Sequence, residues 1–135
     1  MNILPGIGVM INALFGYDRA EDFQKALGKV ITKIEFDESE LVLWFGNDSL
    51  RIWDDGQSCC ERRYLHTDDD LQYYVGSLFW DVNQTEAPNI EDQYDVHEVS
   101  FLQVKTSLGV FTIETHNEHN GYYGGFWVRG LYCEG

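Results

Sequence analysis

The hydrophobic period of this chain changes at Lys29, and that change constrains the fold more than any other feature. Before it, Phe23 and Leu27 lie four residues apart with Ala20 beside them, the spacing of one helix face. After it, Val30, Thr32, Ile34 and Phe36 alternate with Lys33 and Glu35. A two-residue period places the apolar set on one side of a pleated strand, and a helix would scatter it around its axis. The helix is expected over Asp18–Leu27. Asp18 and Glu21 form a capping box, Lys25 and Lys29 complement the C-terminal dipole, and Gly28 supplies a left-handed exit.

Beyond Lys29 the chain is punctuated by turn-forming residues at strand-like intervals. Asp37-Glu38-Ser39 breaks the first strand, Leu41 to Phe45 is an apolar run, Gly46-Asn47-Asp48 turns it, and Leu50 to Trp53 returns. Asp54-Asp55-Gly56 turns again and Cys59 to His66 reads as a fourth strand, together an antiparallel meander. Thr67 is expected to cap a short helical turn over Asp68, Asp69 and Asp70, with Leu71, Tyr74 and Val75 facing the core and Gly76 ending it. A strand from Leu78 to Val82 follows. Asn83 to Asp95 is polar and contains Pro88, so a surface loop is expected there. Val96 to Thr106 and Val110 to Thr115 form a hairpin around Ser107-Leu108-Gly109, His116 to Gly125 makes a loop, and Phe126 to Tyr132 is a last strand.

The reading is therefore an α+β fold, mainly antiparallel sheet, with one N-terminal helix and one short internal helix. At 135 residues and 15.6 kDa the chain suits a single domain over 1–135, a helix-bearing segment 1–28 followed by a β-rich body 29–135. No repeat or linker divides it. Three cysteines, Cys59, Cys60 and Cys133, are an odd set with an adjacent pair, which does not suit a disulfide scaffold and points to a reducing cytoplasm. Met1 to Tyr17 is uncharged, but without a basic start and with Pro5, Gly6, Gly8 and Asn12 interrupting it, it does not read as a signal peptide or a membrane span. Asn83-Gln84-Thr85 matches a glycosylation sequon that has no use without secretion.

The formal charge is −14, from 23 acidic against 9 basic residues. Such a charge repels phosphate backbones and anionic lipid, so neither nucleic acid nor membrane is an expected partner. Much of it lies between Arg63 and Lys105, where no Lys or Arg occurs. Asp68, Asp69, Asp70, Asp81, Glu86, Glu91, Asp92, Asp95 and Glu98 stand in that block. They serve solubility, or form a negative face for a basic protein, in the extreme a mimic of DNA.

Two runs are denser in polar function than a structural domain needs. One is Gly56-Gln57-Ser58-Cys59-Cys60-Glu61-Arg62-Arg63-Tyr64 leading into Thr67-Asp68-Asp69-Asp70; the other is His116-Asn117-Glu118-His119-Asn120-Gly121-Tyr122-Tyr123-Gly124-Gly125. With His97-Glu98-Val99-Ser100-Phe101-Leu102 between them, they resemble a domain-of-unknown-function family of small acidic proteins encoded by bacteria and their phages. The resemblance covers about residues 29 to 130 and implies no catalytic assignment, since that family has no established activity.

The chemistry is accordingly read from the residues. His116 and His119, joined by Cys59, Cys60 or His97 from another strand, would make a metal site if the segment turns, because residues three apart in a strand face opposite ways. Gly121, Gly124 and Gly125 imply such a turn, and the competing reading is that the histidines and asparagines stabilise this glycine-rich loop through side-chain to backbone bonds. Cys59 or Cys60 as nucleophile, with His97, His116 or His119 as base and Arg62 or Arg63 lowering the thiol pKa, is the minimal parts list of a hydrolase-like enzyme. Asp68 to Asp70 lack the alternate spacing of a Ca²⁺ loop, and Gly6-Ile7-Gly8 falls short of a dinucleotide motif, so no cofactor is expected. Against the enzyme stands recognition: Tyr122 and Tyr123 beside His116, Asn117, Glu118, His119 and Asn120, with Arg63 nearby, are aromatic anchors among adaptable polar groups. A non-catalytic cytoplasmic protein-binding function is the expectation, of phage origin and aimed at a host protein, with the enzyme as its competitor. The aromatics are compatible with a homodimer.

Overall fold

The computed structural model describes residues 20–56, 61–86, 90–91, 96–119 and 125–135. It is mostly antiparallel sheet, with a helix over residues 20–25 and a 3₁₀ turn, Leu71–Tyr74. Nine strands occur among the described residues: β1 Lys33–Phe36, β2 Leu41–Phe45, β3 Asp48–Asp54, β4 Arg62–His66, β5 Phe79–Glu86, β6 Ile90–Glu91, β7 Val96–Thr106, β8 Gly109–His119 and β9 Val128–Cys133. They form two sheets, ordered β1-β2-β3-β9 and β4-β8-β7-β5, with β6 also on β7.

The inner face of the first sheet follows from its register. Ile34, Leu43, Leu50 and Tyr132 lie in one row, and Phe36, Leu41, Ile52 and Gly130 in the next. Leu65, Val82, Leu102, Val104, Phe111 and Ile113 answer from the second sheet, and all join one core with Phe23, Ala26 and Leu27. Phe23 is fully buried and lies over Gly130, where an added Cβ would fall 2.6 Å from its ring. The helix exits through Gly28 at φ +77°, as its sequence predicts. Backbone bonds from Gly28 and Ile31 to the carbonyls of Phe79 and Ser77, both 2.8 Å, then stitch this segment to the second sheet.

Several expectations change. The meander holds for β1 to β3 but not for β4, which crosses to the second sheet, while β3 takes β9 as its other neighbour. Alternation sets which face is buried and leaves the choice of neighbour open; β9 brings Val128 and Tyr132 to complete the inner face beside Leu50. The first strand begins at Lys33, with Val30 in an isolated bridge to Leu78. Asp70, and not Thr67, caps the short helix, accepting from the Gln72 amide at 3.2 Å. The expected loop from Asn83 contains strand instead: β5 runs on to Glu86 and Ile90–Glu91 forms β6. Its polar residues find partners across the ladder, Gln84 donating to the Ser100 hydroxyl at 2.7 Å and Asn83 to Gln103 at 3.4 Å. The expected loop from His116 is likewise strand as far as His119. Asp18, Cys59 and Cys60, Pro88, and Asn120 to Gly124 lie outside the described residues, as does the Met1–Tyr17 segment.

Candidate functional site

The C-terminal half of β8 is where the polar residues singled out in the sequence gather, and a strand divides them between two faces. Arg63, Asn117 and Glu98 are register partners across β4, β8 and β7 and face inward, followed on β8 by His119. Arg62, Glu118 and His97 face outward, as do Tyr64, His116 and Val99 in the next row and His66, Glu114 and Phe101 in the one after.

The inward set is a buried ionic cluster. Arg63 donates to both carboxylate oxygens of Asp54, at 3.0 and 2.8 Å, to the Gly125 carbonyl at 3.0 Å, and to Glu61. The side chains of Arg63, Asp54 and Glu61 are only 5%, 6% and 4% exposed, so charge in this cluster is screened little by water. The Asn117 amide donates to Glu61 at 2.8 Å and to the Gly125 carbonyl at 3.3 Å. Glu98 lies 2.5 Å from His119 Nε2 and accepts the Gly125 amide at 3.2 Å. Asp54 also accepts the amides of Gly56 and Trp127, at 3.0 and 3.1 Å. Arg63 Nε and Asn117 Oδ1 are buried with no partner among the described residues. The cluster thus ties both ends of the segment between His119 and Gly125 to the sheet.

The outward set is an open polar surface. His97 Nε2 meets His116 Nδ1 at 2.8 Å, and His116 Nε2 lies 3.0 Å from Glu114. The Tyr64 ring stacks on His116, centroids 4.6 Å apart and nearly parallel, while the Arg62 guanidinium lies over Tyr64 at 4.7 Å and pairs with Glu118 at 3.5 Å. Burial, and then the charge of Glu118, push the Tyr64 phenol above its ordinary pKa. At the near end His66 Nε2 lies 2.9 Å from Asp68, whose hydrogen bond raises the pKa of the imidazole.

The three candidate histidines therefore do not converge. His97 and His116 share the outer face, and His119 is on the inner face against Glu98. His116 and His119 stand in an unbroken strand without the turn that one shared ion would need. A groove of about 320 Å³ lies elsewhere, on the outer face of the first sheet between Glu35, Trp44, Arg51 and Glu40, and none of the expected site residues lines it. The described members of the acidic block are divided between the interior and the surface. Asp81 is buried, Glu98 points inward, and Asp69 accepts the Thr112 amide at 2.7 Å, while Asp68 and Glu86 are exposed. Sequence reasoning missed His66, Glu114 and Asp54 as members of these clusters, and named Glu61 and Tyr64 only within the first polar run. Only the pairing of β4 with β8 brings His66 opposite Glu114.

Residues 24–128 match the family model described as Domain of unknown function (DUF7448). The chain belongs to this family. The DUF7448 match begins in the helix and ends at the start of β9, so both faces of β8 and every described member of the two clusters lie within it. It agrees with the resemblance seen over residues 29 to 130 and extends it back to Gln24. No curated protein and no solved structure matches the chain. No helix among the described residues is long and apolar enough to cross a membrane.

Proposed function

We propose that this DUF7448 protein is a non-catalytic binding module of the cytoplasm, directed at a protein partner with a basic surface. The observation that carries the reading is the division of the candidate residues by β8. The inward set is consumed in hydrogen bonds that hold the fold, and the outward set is spread over a sheet surface away from the described groove. Catalysis by general acid and base groups needs them convergent on one concave site. The outer surface instead offers a packed row of rings, Tyr64 stacked on His116 beside His97, with Glu118, Glu114 and Asp68 as carboxylates around it. Aromatic area with a charged rim is what partner surfaces use, and a net charge of −14 steers a basic partner toward it. The ends of the His119–Gly125 segment are fastened by Glu98, Arg63 and Asn117, which suits presentation of a recognition segment from a rigid scaffold. A phage origin and a host target fit this reading.

The test is capture of partners on the purified chain, followed by reconstitution of the complex from purified components. A basic partner is expected whose affinity falls at least tenfold between low and high salt, and falls again in a Tyr64→Ala, Glu118→Gln double variant. An affinity indifferent to salt and to that variant would sink the proposal.

A further inference from the structure

We infer that His66, Asp68 and Glu114 form a site for a divalent first-row transition-metal ion on the outer face of the second sheet, with His116 positioning Glu114. The three residues come from the end of β4, the turn after it, and β8, and one ligand atom of each lies within 4.8 Å of the others. An ion with bonds of about 2.1 Å holds neighbouring ligands roughly 3 to 3.5 Å apart, so a small rotation of exposed side chains closes the set. His66 Nε2 and Asp68 Oδ1 already stand 2.9 Å apart.

The frame around these ligands is held from both sides. His66 and Glu114 are direct register partners in the β4–β8 ladder. The turn bearing Asp68 is clamped to β8 two residues from Glu114, Thr67 donating to the Thr112 carbonyl at 2.7 Å and the Thr112 amide to Asp69 at 2.7 Å. Behind Glu114 stands His116 at 3.0 Å, itself stacked on Tyr64 and bonded to His97. A ligating carboxylate held by a second residue is the arrangement that tunes and orients metal ligands. One imidazole and two carboxylates are a nitrogen–oxygen donor set for borderline ions such as Zn²⁺, and three protein ligands leave coordination positions open to water. The site differs from one built on His116 with His119, whose rings lie on opposite faces, and it does not depend on the partner reading.

The experiment is calorimetric titration of ZnCl₂ into the full chain after chelator treatment and dialysis, with Co²⁺ absorption as a second probe. One ion per chain is expected. His66→Ala and Glu114→Gln should each weaken binding by tenfold or more, and His116→Ala by about tenfold through Glu114 alone. Glu134→Gln should leave it unchanged. Far-UV circular dichroism of each variant reports whether its fold is kept, and His66 and Asp68 are exposed enough for their variants to fold. The absence of saturable one-to-one binding, or binding that survives His66→Ala and Glu114→Gln in folded protein, as ligation by cysteine thiolates would, overturns the site.

Discussion

Arg62 and Arg63 are adjacent in sequence and opposite in role. Arg62 lies in solvent over the Tyr64 ring, while Arg63 is 5% exposed between Asp54 and Glu61. Removing the guanidinium would leave two carboxylates facing each other in a site that water hardly reaches, and the loss of one partner of a buried pair is more damaging than loss of the pair. Arg63→Met should therefore lower unfolding stability by about 3–5 kcal/mol in urea titrations. Adding Glu61→Gln should restore part of it by removing one unpaired charge. A loss under about 1 kcal/mol for the single variant would mean that the cluster is far better hydrated than its burial indicates.

At the scale of elements, the described helical residues 20–25 dock on β9 through Phe23 packed over Gly130 and through Asp22, whose carboxylate accepts the Tyr132 amide at 3.0 Å. A methyl group at position 130 would sit 2.6 Å from two ring atoms, and either the helix or β9 must move. Gly130→Ala is expected to destabilise by about 1–3 kcal/mol through overpacking. The same change in a Phe23→Ala background should have almost no effect, and a thermal double-mutant cycle measures this coupling. Equal effects in both backgrounds would show that the strain lies elsewhere. The identity of the helix and the face of Phe23 were legible in the sequence. That the helix would dock on β9, far away along the chain, was not.

For the whole molecule, Asp48 joins separate parts of the chain. Its carboxylate accepts from the Tyr132 hydroxyl at 2.6 Å and from the Gly135 amide at 3.0 Å, with Lys29 at 3.4 Å. The Tyr132 bond first, then the Gly135 amide and Lys29, hold the Asp48 carboxyl below its ordinary pKa. A depressed carboxylate contributes stability that is present above its unfolded pKa, about 3.9, and is lost as pH falls through the folded value. Asp48→Asn should thus be less stable than the parent near neutrality, and the gap should close below about pH 4. Melting temperatures of both proteins across that range test this, and a gap constant with pH would refute it.

Local rules recovered local facts. Gly28, Gly46, Gly76 and Gly109 all take positive φ where the sequence asks for turns, and β2 and the β7–β8 hairpin lie close to where alternation puts them. The expected loop gives way to strand at its start, Asn83 to Glu86, for a reason sequence cannot supply: Gln84 is polar, yet its amide is satisfied by Ser100 across the ladder. The alternation on β8 is visible in sequence as well, so that His116 and His119 would part company was implicit in a strand reading. Whether the segment was strand or loop depended on its partners.

By itself the sequence determined the mainly antiparallel sheet, the glycine turns, the charge and the family, because hydrophobic period, backbone freedom of glycine and composition are local quantities. Tertiary structure decided which strands are neighbours, since many pairings bury the same apolar faces and only the shared core selects one. That choice sends β4 to β8, places Arg63 in a buried cluster, and sets His66 beside Glu114, neither of which any spacing along the chain encodes.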